Sequence, residues 1–244
     1  MVSTTPGIDV RRKEQQFHTR AGWLDSRHSF SFGHHYDPAN THHGLLLVSN
    51  DDIVKPYTGF DTHPHRDMEI VTWVIDGELE HKDTLGNTGL IYPGLAQRMS
   101  AGRGIYHSEK NNTSPKSVHF VQMWVLPDTE SIDPGYEQLD VNPELAKGGL
   151  VPIASGRQHD AAISIRQKGA VLWGGRLTPG EVVRVPDAPF VHLYVVKGGA
   201  SLEAAGALGT GDAVRLTAAG APTLTADATD GAEVLIWEMD PYRD

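Results

Sequence analysis

Apolar residues in this chain come in short bursts, each cut off by Gly, Pro, Asn or Asp before a helix could develop. The bursts at 45–48, 70–75, 118–126, 182–185, 191–196 and 234–237 are rich in β-branched and aromatic residues, the mark of strands on a half-buried pleated surface. Turn signals close them: Asp76-Gly77, Gly86-Asn87, Pro93-Gly94, Lys197-Gly198-Gly199 and Thr210-Gly211-Asp212. Evenly spaced short strands with such turns imply an all-β sandwich or barrel. The one helical signal is brief, at 142–146, where Asn142 suits an N-cap and Pro143 the first helical position.

At 244 residues the chain is long enough for two modest cores. Residues 128–156 are acidic, interrupted by Pro134, Pro143 and Pro152, and read as a linker. Beyond them the alternation of strand and glycine turn resumes, with 194–199 echoing 71–77 and 209–212 echoing Pro93-Gly94. An internal duplication follows as an expectation. It divides the chain into residues 1–135 and residues 136–244, the linker going with the second domain.

Lys plus Arg number 21 against 31 Asp plus Glu, a net charge of −10. No basic run offsets it, so direct nucleic-acid binding is not expected. With no cysteine, disulfides, thiolate nucleophiles and sulfur ligands are all excluded. Residues 1–7 are small and polar, and Arg11, Arg12 and Lys13 follow without an apolar segment, unlike a signal or transit peptide. No apolar run approaches the roughly 18 residues of a membrane span. The expected location is cytoplasmic, without a membrane partner.

Chemistry concentrates between Asp61 and Asn111. In His63-Pro64-His65 two imidazoles stand at i and i+2, which a strand turns to one face. Continuing that alternation puts Glu69 on the same face. His107 and Glu109 form a second such pair, approached through Gly102-Arg103-Gly104. Two antiparallel strands, each presenting two inward ligands, can converge on one ion. Three imidazoles and a carboxylate suit Fe, Mn, Co, Ni, Cu or Zn. Pro64 cannot donate a ladder hydrogen bond, so its strand belongs at an edge, where a substrate could reach the metal.

A lone H-x-H is more often a surface pair, and most of the 13 histidines need no metal role. His34-His35 and His42-His43 read as solvated or mouth-lining, and His28 and His81 as structural or exposed. His119 alternates with Val121 and Met123 and could face a barrel interior, as a buried histidine or a pocket wall. Phe32, Met68, Trp73 and Trp124 read mainly as core, one or two of them lining a pocket. Arg66 points away from the ligand pair, toward a structural ion pair.

The string from His63 to Glu69 resembles the first cupin motif, and Gly104-Ile-Tyr-His107 with Asn111 resembles the second. More specifically, HPHRDMEIVTWVIDGELEHKDTLGN, MSAGRGIYHSE, RHSFSFGHHYDP (27–38) and VQMWVLP (121–127) are similar to the pirin family, closest to its bacterial quercetinase-like branch. The resemblance implies two cupin barrels packed together, with metal in the N-terminal one only. It implies His63, His65, His107 and Glu109 as ligands, with Glu69 behind them. Glu69, His119 and Met68 remain candidates for the shell around the ligands or the pocket wall. In keeping with a single site, the second half has one strand histidine, His192, and no H-x-H or H-x-E. Gly102 departs from the general cupin pattern, which often has Pro there.

The activity implied is that of a quercetin 2,3-dioxygenase: a flavonol ring opened by O2, one divalent transition metal as cofactor, Fe(II) foremost, and Glu109 as general base. Zinc can polarise a ligand but has no accessible redox change. The alternative is a redox-responsive regulatory module that uses its metal barrel to bind a protein partner. A cupin isomerase is disfavoured, because no Lys or Tyr base stands beside the ligands apart from Tyr106. An open pocket next to the metal would favour the enzyme; a plugged barrel would favour the module.

Overall fold

The structure, a computed structural model, describes residues 6–157 and 159–242. Met1–Thr5, most of the segment read above as unlike a leader, lie outside the described residues.

The chain is almost entirely β. Two facing sheets form the first barrel. A seven-stranded sheet runs in the order Gly135–Asp140, Leu95–Ser100, Glu69–Asp76, Val118–Val125, Leu46–Val54, Leu24–His28, Phe17–Ala21. Opposite lies a four-stranded sheet, Gly59–His65, Ile105–Lys110, Leu79–Asp83, Thr88–Ile91. The second barrel curls from a ten-stranded sheet whose centre is Phe190–Leu202, Ala232–Met239 and Ala170–Leu177.

The strand Glu69–Asp76 shows how the layers stack. Its even positions enter the first barrel, where Val74 joins Leu79, Ile91 and Phe120. Its odd positions Val71, Trp73 and Ile75 face outward into the largest apolar cluster, together with Leu172, Tyr194, Val196, Leu235 and Trp237 of the second barrel. Both faces are buried, so the strand reads as a nearly unbroken apolar run. Polar contacts cross the same seam, among them Trp73 Nε1 donating to Glu233 at 2.9 Å and Arg98 Nε donating to the Ser164 carbonyl at 2.8 Å.

Two segments cross the expected division at 135/136. Gly7–Arg11 pairs antiparallel with Ala213–Thr217, so the N-terminal strand is an edge of the second barrel. Residues 128–156 are not an open linker: Gly135–Asp140 pairs with Leu95–Ser100 of the first barrel, and Val151–Ser155 enters the second barrel's sheet. Backbone pairing at an edge needs no apolar side chains, so a polar stretch can be a strand. The short helix spans Asn142–Leu145, but Asn142 lies inside it and Val141 occupies the cap position. The Asn142 side chain instead donates to the Pro93 carbonyl and accepts from Arg176. No helix among the described residues is long and apolar enough to cross a membrane.

Candidate metal centre

Gly59–His65 is the outer strand of the four-stranded sheet, where the missing N–H of Pro64 leaves no gap in a ladder. It pairs with Ile105–Lys110 so that His63 faces His107, and an irregularity between His107 and Glu109 brings Glu109 opposite Phe60. The extra residue re-aims the carboxylate relative to the histidines. Gly59 makes that approach possible: its φ is +149°, and a Cβ there would lie 2.2 Å from the Glu109 carbonyl oxygen.

His63, His65 and His107 offer ring nitrogens within 4.8 Å of one another, and His81, His107 and Glu109 form an overlapping trio. The Nε2 atoms of His63 and His107 are 3.0 Å apart. Bonds of ~2.1 Å to a common ion, at right angles, would set two nitrogens ~3.0 Å apart. Asp61 holds the His63 ring from behind, its carbonyl accepting from Nδ1 at 2.7 Å and leaving the Nε2 lone pair free to ligate. His65 Nε2 is buried without a protein partner. Burial, reinforced by the neighbouring imidazoles, holds His65 down at about 4 and His107 at about 3, so both are neutral near pH 7. Neutral imidazoles, a carboxylate and an orphaned ring nitrogen fit a divalent transition ion.

Two supports stand behind these candidate ligands. His107 Nδ1 lies 3.3 Å from His81 Nδ1, and His81 Nε2 lies 3.3 Å from Asp83 Oδ2. With His107 ligating through Nε2, its Nδ1–H donates to His81, whose Nε2–H donates to Asp83. The side chains of His81 and Asp83 are fully enclosed, and Tyr136 covers the His81 ring at 4.8 Å. Of the two readings of His81, structural or exposed, the structure bears out the structural one; its i, i+2 relation to Asp83 was the available signal. The second support is Gln122, whose Nε2 donates to both Glu109 oxygens at 2.8 and 2.9 Å, while Trp124 Nε1 donates to Gln122 Oε1 at 3.0 Å.

Two expected neighbours of the site lie elsewhere, and a third stands one layer behind it. Glu69 leaves the His63 face because the chain turns at Asp67 (φ +46°) and passes from one sheet to the other, which resets the alternation. Its carboxylate accepts from Ser100 Oγ at 2.9 Å and from the Arg166 N–H at 3.0 Å, at the seam between barrels. His119 shares its parity with Val121 and Met123, but that face meets the second barrel. Its Nε2 pairs with Asp51 at 2.6 Å, and Asp51 also accepts from Tyr194 of the second barrel. Burial pushes the Asp51 carboxyl up, but the His119 and Tyr194 contacts outweigh it and hold the group below its ordinary value. Met68 packs with Ile70, Met99, Ala101, Ile105 and Trp124 in a small apolar cluster.

Beside the ligands the first barrel is hollow. A cavity of about 320 Å³ has His63 and Glu109 in its wall. Leu24, Phe32, Phe60 and Trp124 give it apolar faces, while Thr19, Ser26, His28, Asn50, Asp52 and Gln122 form a polar side. His34 is at this cavity, as a mouth-lining reading of that segment required, whereas His43 is turned to the other barrel, against the Leu216 carbonyl at 3.1 Å. Desolvation of the buried Asp52, together with the charges of Asp51 and Glu109, pushes its carboxyl up to about 7 despite a hydrogen bond from Ser26. Among the described residues, clusters of three or more potential metal-binding side chains occur only in the first barrel.

Comparison with known proteins agrees with this architecture. Residues 9–125 match the Pirin family model, and residues 152–239 match the quercetinase C-terminal cupin domain. A protein of Mycobacterium tuberculosis, whose name carries a quercetin 2,3-dioxygenase activity provisionally, is 57% identical over 96% of both chains. The quercetin 2,3-dioxygenase of Escherichia coli is 35% identical, covering 96% of this chain and 99% of its own. The crystal structure of the bacterial pirin YhhW from Escherichia coli in complex with nickel(II) superposes with a TM-score of 0.87 at 34% identity, over 97% of this chain and 100% of the other.

Proposed function

This chain belongs to the pirin family, and on that premise we propose that it is a metal-dependent dioxygenase of the quercetin 2,3-dioxygenase type. It opens the central ring of a flavonol with O2 and releases carbon monoxide. The observation that carries the reading is the cavity beside the ligands: a purely regulatory barrel has no use for about 320 Å³ of partly open space flanked by His63 and Glu109.

His63, His65, His107 and Glu109 hold the ion, with Fe(II) first among the candidates. A bound transition ion lowers the pKa of a coordinated hydroxyl and orients it. The rest of the chemistry belongs to the chain. Leu24, Phe32, Phe60 and Trp124 clamp a flat aromatic body and keep bulk water off it. Glu109 takes the proton of the substrate hydroxyl as general base. Gln122 keeps the Glu109 carboxylate facing the cavity, and Trp124 keeps Gln122 in place. Asp61 and His81 fix the rings of His63 and His107 from behind.

The test is to prepare metal-free protein, reload it separately with Fe(II), Mn, Co, Ni or Cu, and follow quercetin loss together with O2 uptake. Turnover with one metal, absent in His107→Ala and Glu109→Ala, is the expected result. Stoichiometric loading without turnover for any metal would overturn the reading in favour of a regulatory module.

A further inference from the structure

The cavity's polar side is a row of side chains that crosses four adjacent strands away from Glu109. Gln122 faces Asn50 across one strand pair; Asn50 faces His28 and Asp52 faces Ser26 across the next; Ser26 faces Thr19 across the third. Because these residues share inward parity, they form one continuous stripe along the wall.

Much of the stripe is internally committed. Gln122 spends its amide on Glu109 and Trp124. His28 uses both ring nitrogens, Nε2 at 2.9 Å from Thr19 Oγ1 and Nδ1 at 2.9 Å from Asn50 Oδ1. Thr19 is held further by His35 at 3.1 Å. Within this stripe Asp52 Oδ1 alone is a buried side-chain atom without a partner. Asp52 is 4% exposed, so ordinary solvent does not satisfy it, yet it lines the cavity. A buried carboxyl oxygen left unpaired costs roughly 1–3 kcal/mol, and a side chain that carries one at a cavity wall holds acceptor capacity the protein leaves unused.

We propose that Asp52 is the specificity residue of this pocket, accepting a hydrogen bond from a second hydroxyl of the substrate, one distinct from the hydroxyl directed at the metal. The inference rests on the flavonol reading and sharpens it: the substrate class is a flat aromatic hydroxylated at two separate positions, its faces against Phe32, Phe60 and Trp124 and one edge along the stripe. A carboxylate accepts through either oxygen and a carboxylic acid through its carbonyl oxygen, so an acceptor is present in both protonation states. A ligand without that hydroxyl leaves Asp52 buried and unpaired, which is how a polar site rejects a less hydroxylated analogue.

The experiment compares metal-loaded wild type, Asp52→Ala and Asp52→Asn under anaerobic conditions, so that binding is read without turnover. The probes are quercetin and 3-hydroxyflavone, which keeps the hydroxyl and ketone expected at the metal but lacks the other hydroxyls. Metal content and Tm are recorded for each variant. Wild type is expected to prefer quercetin by at least roughly tenfold. Asp52→Ala should remove that preference, weakening quercetin while leaving 3-hydroxyflavone within about twofold, and Asp52→Asn, whose amide oxygen still accepts, should restore part of it. A preference that survives Asp52→Ala at full metal content overturns the inference alone, as does an equal loss for both probes. Wild type that binds neither flavonol overturns the flavonol reading and the inference with it.

Discussion

The two barrels are built from the same alternation of short strands and turns, but their interiors differ. The second is filled: Val191, Leu193, Val195, Leu202, Val214, Leu216, Leu224, Val234 and Ile236 interdigitate within it. Its polar strand residues His192 and Arg215 have the opposite parity, paired with each other on neighbouring strands and turned toward the first barrel, where Arg215 donates to the Ser29 carbonyl and lies over the Phe30 ring. The first barrel reverses the assignment. Its outward residues make the apolar seam, while inward positions carry His81 and His107 in the candidate metal cluster and Glu109, Gln122, Asn50 and Asp52 around a cavity. One step of strand parity thus separates a scaffold from a site, because successive side chains leave opposite faces of a sheet.

This contrast can be broken most sharply at the ligands. His107→Ala or Glu109→Ala should abolish stoichiometric metal binding, read by elemental analysis, with affinity falling by more than the roughly 100-fold attributable to outer partners. The filled barrel should respond in the other quantity. Leu193→Ala, at a fully buried position, should cost about 2–5 kcal/mol in denaturant unfolding while metal content stays stoichiometric. If it also emptied the metal site, the barrels would be one energetic unit rather than scaffold and site.

A subtler test lies behind the metal. His81→Gln should lower metal affinity about 10–100-fold in a chelator competition without changing the ligand count. At the seam, Tyr194→Phe removes the hydroxyl shared with Asp51 and should cost about 1–2 kcal/mol of stability, with metal affinity unchanged.

The smallest effect is a pH dependence. Burial, with the Arg215 charge, holds His43 down at about 4 despite its Leu216 carbonyl contact. Between pH ~6.5 and about 4 the unfolded chain binds a proton that the folded chain refuses, so stability is full above pH ~6.5 and declines as pH falls. His192, held low by its burial, acts in the same direction. Asp52 and Glu69, raised by burial, act in the opposite one. The informative measurement is therefore a difference: metal-free wild type should lose about 1 kcal/mol more than His43→Gln between pH 7 and ~5.5.

Some of this was written locally in the chain. The strands, the all-β class and the two candidate donor pairs, His63 with His65 and His107 with Glu109, follow from i, i+2 spacing within single strands, and Pro64 marks its strand as an edge. That logic failed where the chain changed sheets. Glu69 is an even number of residues from His63 and His65, but the turn at Asp67 intervenes, so its parity belongs to a different sheet. For His119 the parity itself was correct; what the sequence lacked was which face of its sheet met the second barrel.

By itself, then, the sequence determined the elements and the candidate donor pairs, since both depend on the geometry of a few consecutive residues. Only the tertiary structure decided which faces became seam or cavity, gave Gly7–Arg11 to the second barrel, set His81 behind His107, and left Asp52 beside Glu109 with an unpaired oxygen. Those relations join residues far apart in the chain. They are set by sheet order and register, in which backbone pairing and apolar burial are satisfied across the whole molecule together.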